Sequence, residues 1–195
     1  LAYPIRDSLY LNITNRCKNA CSFCARFFSD FVKGNNLKLQ REPAAEDIIN
    51  ALGDLGRYRE VVFCGYGEPT LRLDVLKEVA KFIRQKGKTI RLVTNGHGNL
   101  INHRSIAGEL APLLDKVSVS LNADTAEKYN KICRPEFGEG AFEEVKRFIR
   151  ECRAAGLDVE VTCLDLPEVD IDRCGFIASN ELNVRFRLRK HNVVG

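Results

Sequence analysis

Three cysteines near the start of the chain have a spacing that suits an inorganic centre. The stretch from Asn12 to Phe28, NITNRCKNACSFCARFF, places Cys17, Cys21 and Cys24 in a C-x3-C-x2-C array directly after an apolar run that reads as a strand. Three thiolates so close on one loop can converge on a single centre. A structural zinc site asks for four protein ligands at tetrahedral corners, and an iron–sulfur cube also usually takes four cysteines, one per iron. Three therefore leave one position without a protein ligand, and an open metal position is where chemistry can happen. On this loop alone, a cube with one free iron, a zinc knuckle and chance spacing all stay open.

Other residues with chemical capacity follow along the chain. Gly65-Tyr66-Gly67-Glu68-Pro69 interrupts a short apolar run. Glycines at a strand end let backbone approach a ligand closely, and Glu68 can accept hydrogen bonds from an ammonium. The bland reading is an ordinary loop with a solvated glutamate. Cys64 points inward beside this turn, as a small packing residue or as a catalytic thiol. Ser118, Ser120 and Asn122 alternate with Val117, Val119 and Leu121, so one face of that segment is polar. Arg185, Arg187 and Arg189 alternate with Val184, Phe186 and Leu188 near the end. They are either solvated on an edge strand or turned inward, where burial is costly unless they are paired. Glu160 can neutralise one of them, and Arg187, in the middle, reads as its structural partner. Arg189, nearest the open end, then reads as a contact for an anionic substrate, a carboxylate or phosphate held by the planar guanidinium. His97, His103 and His191 show no ligand spacing among themselves and default to loops or surface, with His97 close to a strand-end turn.

These side chains must be positioned by a regular frame. Six segments read as strands: Ser8–Ile13, Val61–Cys64, Thr89–Val93, Lys116–Leu121, Leu157–Leu164 and Asn183–Leu188. Between them lie helical patterns: from Pro43 to a stop at Gly56, Leu73 to Gln85 ended by Gly87, about Ser105–Leu114, a stretch capped by Asp124, Ala141–Ala155 ended by Gly156, and about Asp170–Asn180. Strands alternating with helices predict a parallel α/β sheet with right-handed crossovers. Six units fall short of the eight that close a barrel, so the expected fold is an open (βα)6 partial TIM barrel. Ligands in such sheets bind beyond the carboxyl ends of the strands, where the cysteine loop, the 65–69 turn and the Thr94-Asn95-Gly96 turn all fall. The connection over residues 25–43, with Phe27, Phe28 and Phe31, is long enough to be functional or mobile.

The chain has 195 residues, 45% hydrophobic, with 30 Lys and Arg against 26 Asp and Glu. That is enough for one domain over residues 1–195 with a sizeable core. A formal charge of +4 is mild and does not point to nucleic acid. No apolar run approaches the roughly 20 residues that span a bilayer, and no signal-peptide pattern precedes the first strand, so no membrane is expected. The eight cysteines lie in a chain with ample helices and core, which reads as reduced and cytoplasmic rather than disulfide-bonded. The five after Cys24 lack tight spacing and read as small buried residues.

The cysteine loop resembles the C-x3-C-x-aromatic-C motif of the radical S-adenosylmethionine (SAM) enzymes, with Phe23 as the aromatic. The turn at 65–69 is similar to that family's glycine-rich turn after the second strand, often Gly-Gly-Glu-Pro, with Tyr66 in place of the second glycine. The whole pattern, LYLNITNRC, Gly-Tyr-Gly-Glu-Pro and SVSLNADT, resembles the small TatD-associated radical SAM proteins most, and glycyl-radical-enzyme activases and 7-carboxy-7-deazaguanine synthases less. The resemblance covers nearly the whole chain and implies the same partial barrel. It implies a [4Fe–4S] cluster on Cys17, Cys21 and Cys24, with SAM chelated to the free iron and cleaved reductively to a 5′-deoxyadenosyl radical that abstracts hydrogen from a substrate. It implies that Phe23, Gly65, Tyr66, Gly67, Glu68 and Asn95 border the cofactors, that Ser120 and Asn122 contact the SAM ribose, and that Arg134 contacts its carboxylate or ribose unless it is a solvated loop arginine. Electrons would come from flavodoxin or ferredoxin, and the substrate would be a small anion or a group on a partner protein. The rival class is a non-catalytic iron–sulfur or zinc protein.

Overall fold

The computed structural model describes residues 1–190. A hairpin opens the chain: β1 (Ala2–Ile5) runs antiparallel to β2 (Ser8–Leu11), with Ala2 opposite Leu11 and Ile5 opposite Ser8. A two-residue ribbon follows, β3 (Phe31–Val32) and β4 (Asn35–Asn36). The chain then alternates α1 (Ala45–Ala51), β5 (Glu60–Phe63), α2 (Leu73–Gln85), β6 (Thr89–Thr94), α3 (Gly98–Asn102), α4 (Ala107–Leu110), β7 (Lys116–Ser120), α5 (Ala126–Cys133), α6 (Ala141–Ala154), β8 (Asp158–Leu164), α7 (Ile171–Phe176) and β9 (Arg185–Arg189). The main sheet has the order β1-β2-β5-β6-β7-β8-β9, and every pair from β2 to β9 is parallel. Six parallel strands in sequential order make the expected open partial barrel.

Each strand divides its side chains by face, as a period of two requires. Leu9, Leu11, Val61, Phe63, Ile90, Leu92, Val117, Val119 and Val161 are buried against the helices. The opposite, inner face carries Ser8, Tyr10, Glu60, Arg91, Ser118, Glu160 and the strand-nine arginines. The helices reciprocate. In α2, Leu73, Leu76, Val79, Ala80 and Ile83 are buried at helical spacing, and the helix gives way to Gly87, whose φ of +68° is left-handed. Each fully buried Leu, Ile or Phe of this layer contributes about 1.5–3 kcal/mol over exposure.

Several elements differ from the sequence expectation. β1 was not expected: Pro4 lacks a backbone donor, which fits an edge strand, and its neighbours are too few to show alternation. α1 ends near Leu52 rather than at Gly56, because Gly53 turns left-handed at φ +59° and Leu55 packs from the following loop. The 105–114 pattern yields only the short α4, while α3 forms just after the 94–96 turn that follows β6. α5 is capped by Thr125, whose hydroxyl accepts from Lys128 N at 3.2 Å. Asp124 instead accepts from Lys128 Nζ at 2.8 Å and from Asp170 N at 3.0 Å, joining two loops. The last helix tightens into α7 and then widens into a π-turn over Ile177–Glu181. The long connection after the cysteines packs on a small core of its own, Tyr3, Leu37 and Tyr66. No helix among the described residues is long and apolar enough to cross a membrane.

Candidate cluster and cofactor site

The cysteine loop leaves β2 at the carboxyl end of the sheet and is held from three sides. Asn12, the last inward residue before it, spans two neighbours: its Nδ2 donates to Leu37 O and its Oδ1 accepts from Tyr66 N at 3.2 Å. The 65–69 turn supplies the second side. Gly67 N donates to Thr14 O at 2.9 Å and Glu68 N to Arg16 O at 2.8 Å. A Cβ on Gly67 would lie 2.4 Å from both Thr14 O and Arg16 O, and one on Gly65 would lie 2.1 Å from Asn12 Oδ1. The glycines are therefore required because the turn lies flat on the cysteine loop. The third side is α5. Ala20 N donates to Cys133 O at 3.1 Å and Ser22 N to Ile132 O at 2.9 Å. Asn19 Nδ2 reaches Tyr129 Oη at 3.3 Å.

Glu68 stands at the centre of this arrangement. Its side chain is 3% exposed. Oε1 accepts from Thr70 N at 3.1 Å, Thr70 Oγ1 at 2.8 Å and Thr94 Oγ1 at 2.7 Å, and Oε2 accepts from Asn95 N at 2.8 Å. A carboxylate offers about four acceptor positions, two on each oxygen; three donors crowd Oε1, while Oε2 takes one and keeps a position open. Burial pushes its pKa up, and these donors oppose that shift. Glu68 thus ties the end of β5 to the end of β6. Tyr66 is buried in the small core, within electrostatic reach of Cys24, and its hydroxyl donates to Ser29 O.

Cys17, Cys21 and Cys24 are half-buried free thiols. Cys17 Sγ accepts from Asn19 N at 3.4 Å and from Asn95 Nδ2 at 3.6 Å, so the 94–96 turn after β6 touches the first cysteine directly. Burial and the nearby Glu68 push the Cys17 thiol up to about 12. Burial also raises Cys24. Cys133 donates to Cys21 from α5, which lowers Cys21 against the opposing effect of burial. Arg26 lies within electrostatic reach of all three cysteines and donates to Asn15 O at 3.4 Å and Asn19 O at 2.6 Å, on either side of Cys17. Among the described residues no three His, Cys, Asp or Glu side chains gather closely enough to hold one metal ion. Three free thiols with N–H donors and a guanidinium beside them suit the anionic cube.

Of the remaining predicted residues, Phe23, Ser120, Asn122, Arg134, Cys64 and His97 lie at the same end of the sheet. Phe23 packs half-buried against the main core. Ser120 ends β7 half-exposed, and Asn122 follows in a left-handed conformation at φ +59°, 5% exposed, with Oδ1 buried and unpartnered among the described residues. Arg134 is exposed at the left-handed end of α5, φ +46°, where its carbonyl accepts from Ala20 N at 3.3 Å. Cys64 is half-buried; burial raises its thiol, and its carbonyl accepts from Tyr3 Oη at 3.0 Å. His97 is fully buried rather than in a surface loop: Nε2 meets Tyr129 Oη at 3.2 Å, and burial lowers its pKa to about 4, which keeps it neutral. His191 lies outside the described residues. On the inner face Arg187 meets Glu160 at 2.9 Å, as the alternation implied, and Arg185 meets Asp158 at 2.7 Å. Sequence reading missed Asn12, Asn19, Arg26, Thr94 and Tyr129. Of these, only Asn12 carried a signal, as the inward polar position of β2.

Comparison with known proteins agrees with this geometry. The Radical SAM superfamily matches residues 11–175. An Fe-coproporphyrin III synthase of Methanosarcina barkeri is 30% identical over 153 residues, 76% of this chain and 34% of that protein. A putative glycyl-radical enzyme activating enzyme of Methanocaldococcus jannaschii is 27% identical over 175 residues, 86% of this chain and 65% of that protein. This chain thus spans roughly a third to two thirds of these relatives. Among solved structures, SuiB of Streptococcus suis bound to precursor peptide SuiA superposes with a TM-score of 0.70 at 16% identity, over 95% of this chain and 39% of that one. SuiB bound to S-adenosylmethionine gives 0.67 at 16% identity, over 95% and 41%. With the matched segment running from the end of β2 through the cysteine loop to α7, the chain belongs to the Radical SAM superfamily.

Proposed function

We propose that this chain, as one domain over residues 1–195, is a radical SAM enzyme. The observation that carries this reading is the mutual construction of three strand-end features. The three-cysteine loop, the 65–69 turn and Asn95 are bonded to one another, and no fourth cysteine completes the set from the loop. Cys17, Cys21 and Cys24 would hold a [4Fe–4S] cluster. Gly65, Gly67, Asn95, Ser120, Asn122 and Arg134 surround the space for SAM, with Phe23 beside it. Glu68 fixes the turn and would offer its remaining Oε2 position to the SAM ammonium, and Tyr66 fixes the 25–37 connection. When bound, the cluster and SAM supply reductive C–S cleavage to a 5′-deoxyadenosyl radical that takes a hydrogen atom from substrate. The chain's own part is to orient the cysteine loop through Asn12, Asn19 and Arg26, and to exclude water behind it with the buried Glu68–Thr94–Thr70 group. Reduction calls for a small carrier such as flavodoxin or ferredoxin, and a cytoplasmic, reducing setting suits eight unpaired thiols.

The test is metal stoichiometry. Anaerobic reconstitution should give about four irons and four sulfides per chain, as one cube requires. Cys17→Ala, Cys21→Ala and Cys24→Ala should each abolish it, and Cys152→Ala should not. Tetrahedral zinc in protein prepared anaerobically, or iron retained by all three variants, would refute the reading.

A further inference from the structure

The inner faces of β8 and β9 form a charge ladder that stops one rung short. Arg185 Nη2 donates to Asp158 Oδ1 at 2.7 Å, and Arg187 Nη2 donates to Glu160 Oε1 at 2.9 Å. Each arginine leans one rung back along the neighbouring strand: β8 sets Glu160 opposite Arg185 and Thr162 opposite Arg187. By the same step, the residue due to meet Arg189 is Thr162. It is not a carboxylate. Its hydroxyl is buried and has no partner among the described residues, and Arg189 Nε is buried and unpartnered as well.

The inner face carries two further cations, Arg91 and Lys116, both at the opposite end of the cavity. Arg91 is bonded to Glu60 through both Nε, 3.0 Å, and Nη2, 2.7 Å. Three arginines therefore have three carboxylates, in an open cavity of about 280 Å³ toward the amino ends of the strands. Among the described residues Arg189 is ion-paired with none, and it lies at the carboxyl end, facing the interior within electrostatic reach of Cys64, which follows β5, and more weakly of Glu160. A desolvated guanidinium without a counter-charge is costly. Its fork is also the group best matched to a carboxylate or phosphate.

We infer that Arg189, at the rung where Thr162 replaces an acid, is the anchor for a carboxylate or phosphate group of the substrate, held across the barrel mouth from Cys64. The assignment of that anion to substrate rests on the radical SAM reading; the anion site itself does not. Thr162 has a defined part in it. A threonine at this position keeps the arginine available, where Asp or Glu would close the ladder and neutralise it.

The test uses the purified chain, with inorganic phosphate and succinate as probes and the arginine Nε–H resonances as the readout. The Arg189 resonance is assigned by its loss in R189Q. Phosphate or succinate should shift that resonance saturably and leave those of Arg91, Arg185 and Arg187 in place. In T162D the response should weaken at least tenfold, because the new carboxylate occupies the guanidinium. A response spread over all four arginines, no saturable response, or an unchanged response in T162D would overturn the proposal. In the reconstituted protein, saturating SAM should leave the phosphate response intact. Its loss would assign the anion to the SAM carboxylate and overturn the substrate assignment. Absence of a cluster would refute the enzyme reading while leaving the anion response of the chain measurable.

Discussion

Replacing Glu68 separates a structural clamp from a ligand contact. In Glu68→Ala, four donors lose their acceptor at once: Thr70 N, Thr70 Oγ1, Thr94 Oγ1 and Asn95 N. A hydrogen bond to a charged group is worth about 1.5–3 kcal/mol net, and an orphaned buried donor costs about 1–3 kcal/mol. These losses do not add fully, since water enters the space and the charged side chain no longer has to be desolvated. Removing one partner from a buried charged network typically costs about 3–5 kcal/mol, and that is the expected loss for the alanine variant. Glu68→Gln keeps Oε1 for three donors but sets its amide against Asn95 N–H, so a loss of about 2 kcal/mol is expected, nearer one charged bond. Urea unfolding of cluster-free protein, without SAM, reads both values. Stability of Glu68→Ala within about 0.5 kcal/mol of wild type, the range of an ordinary surface change, would refute the clamp.

Other outcomes follow from the same contacts. His97 has a folded pKa of about 4 against 6.5 unfolded, so the unfolded chain alone binds the proton between those values. Its contribution is complete above pH 6.5 and falls as pH drops toward 4, by about 3 kcal/mol at 1.36 kcal/mol per unit. His97→Phe should flatten that part of the profile in unfolding measured at pH 7 and pH 4.5, and an equal difference at both would contradict it. Gly67→Ala forces a Cβ onto two backbone oxygens and should cost about 1–3 kcal/mol, with faster loss of iron from reconstituted protein. Glu160→Gln breaks a pair whose members are 20% and 45% exposed, so its effect on stability should stay below about 1 kcal/mol in thermal unfolding.

The parallel strands were legible because their two faces differ in chemistry: Val117-Ser118-Val119-Ser120 cannot slip by one residue without burying its serines among the helices. The cysteine array and the strand-end glycines were legible because their spacing is local. What was not legible depends on partners far away in sequence. Glu68 reads as a ligand residue alone, and its second part as a clamp shows only when Thr94 and Asn95 arrive at it from the end of β6. Tyr66 looks like a substitution in a glycine turn until Tyr3 and Leu37 close around it. Nothing local marks His97, Tyr129 and Asn19 as one network, since they come from three separate elements. The Arg187–Glu160 pair was foreseeable from alternation alone; the vacancy opposite Arg189 needed the register of β8 against β9.

The most direct test of the radical SAM account is the electron paramagnetic resonance spectrum of the reduced, reconstituted chain with and without SAM. Three protein cysteines on a four-iron cube leave one iron to an exogenous ligand. The account predicts a reduced [4Fe–4S] signal whose g-values shift when SAM is added, with 5′-deoxyadenosine accumulating slowly under reductant. A signal that SAM leaves unchanged, with no 5′-deoxyadenosine formed, would contradict it and make the cluster an electron carrier.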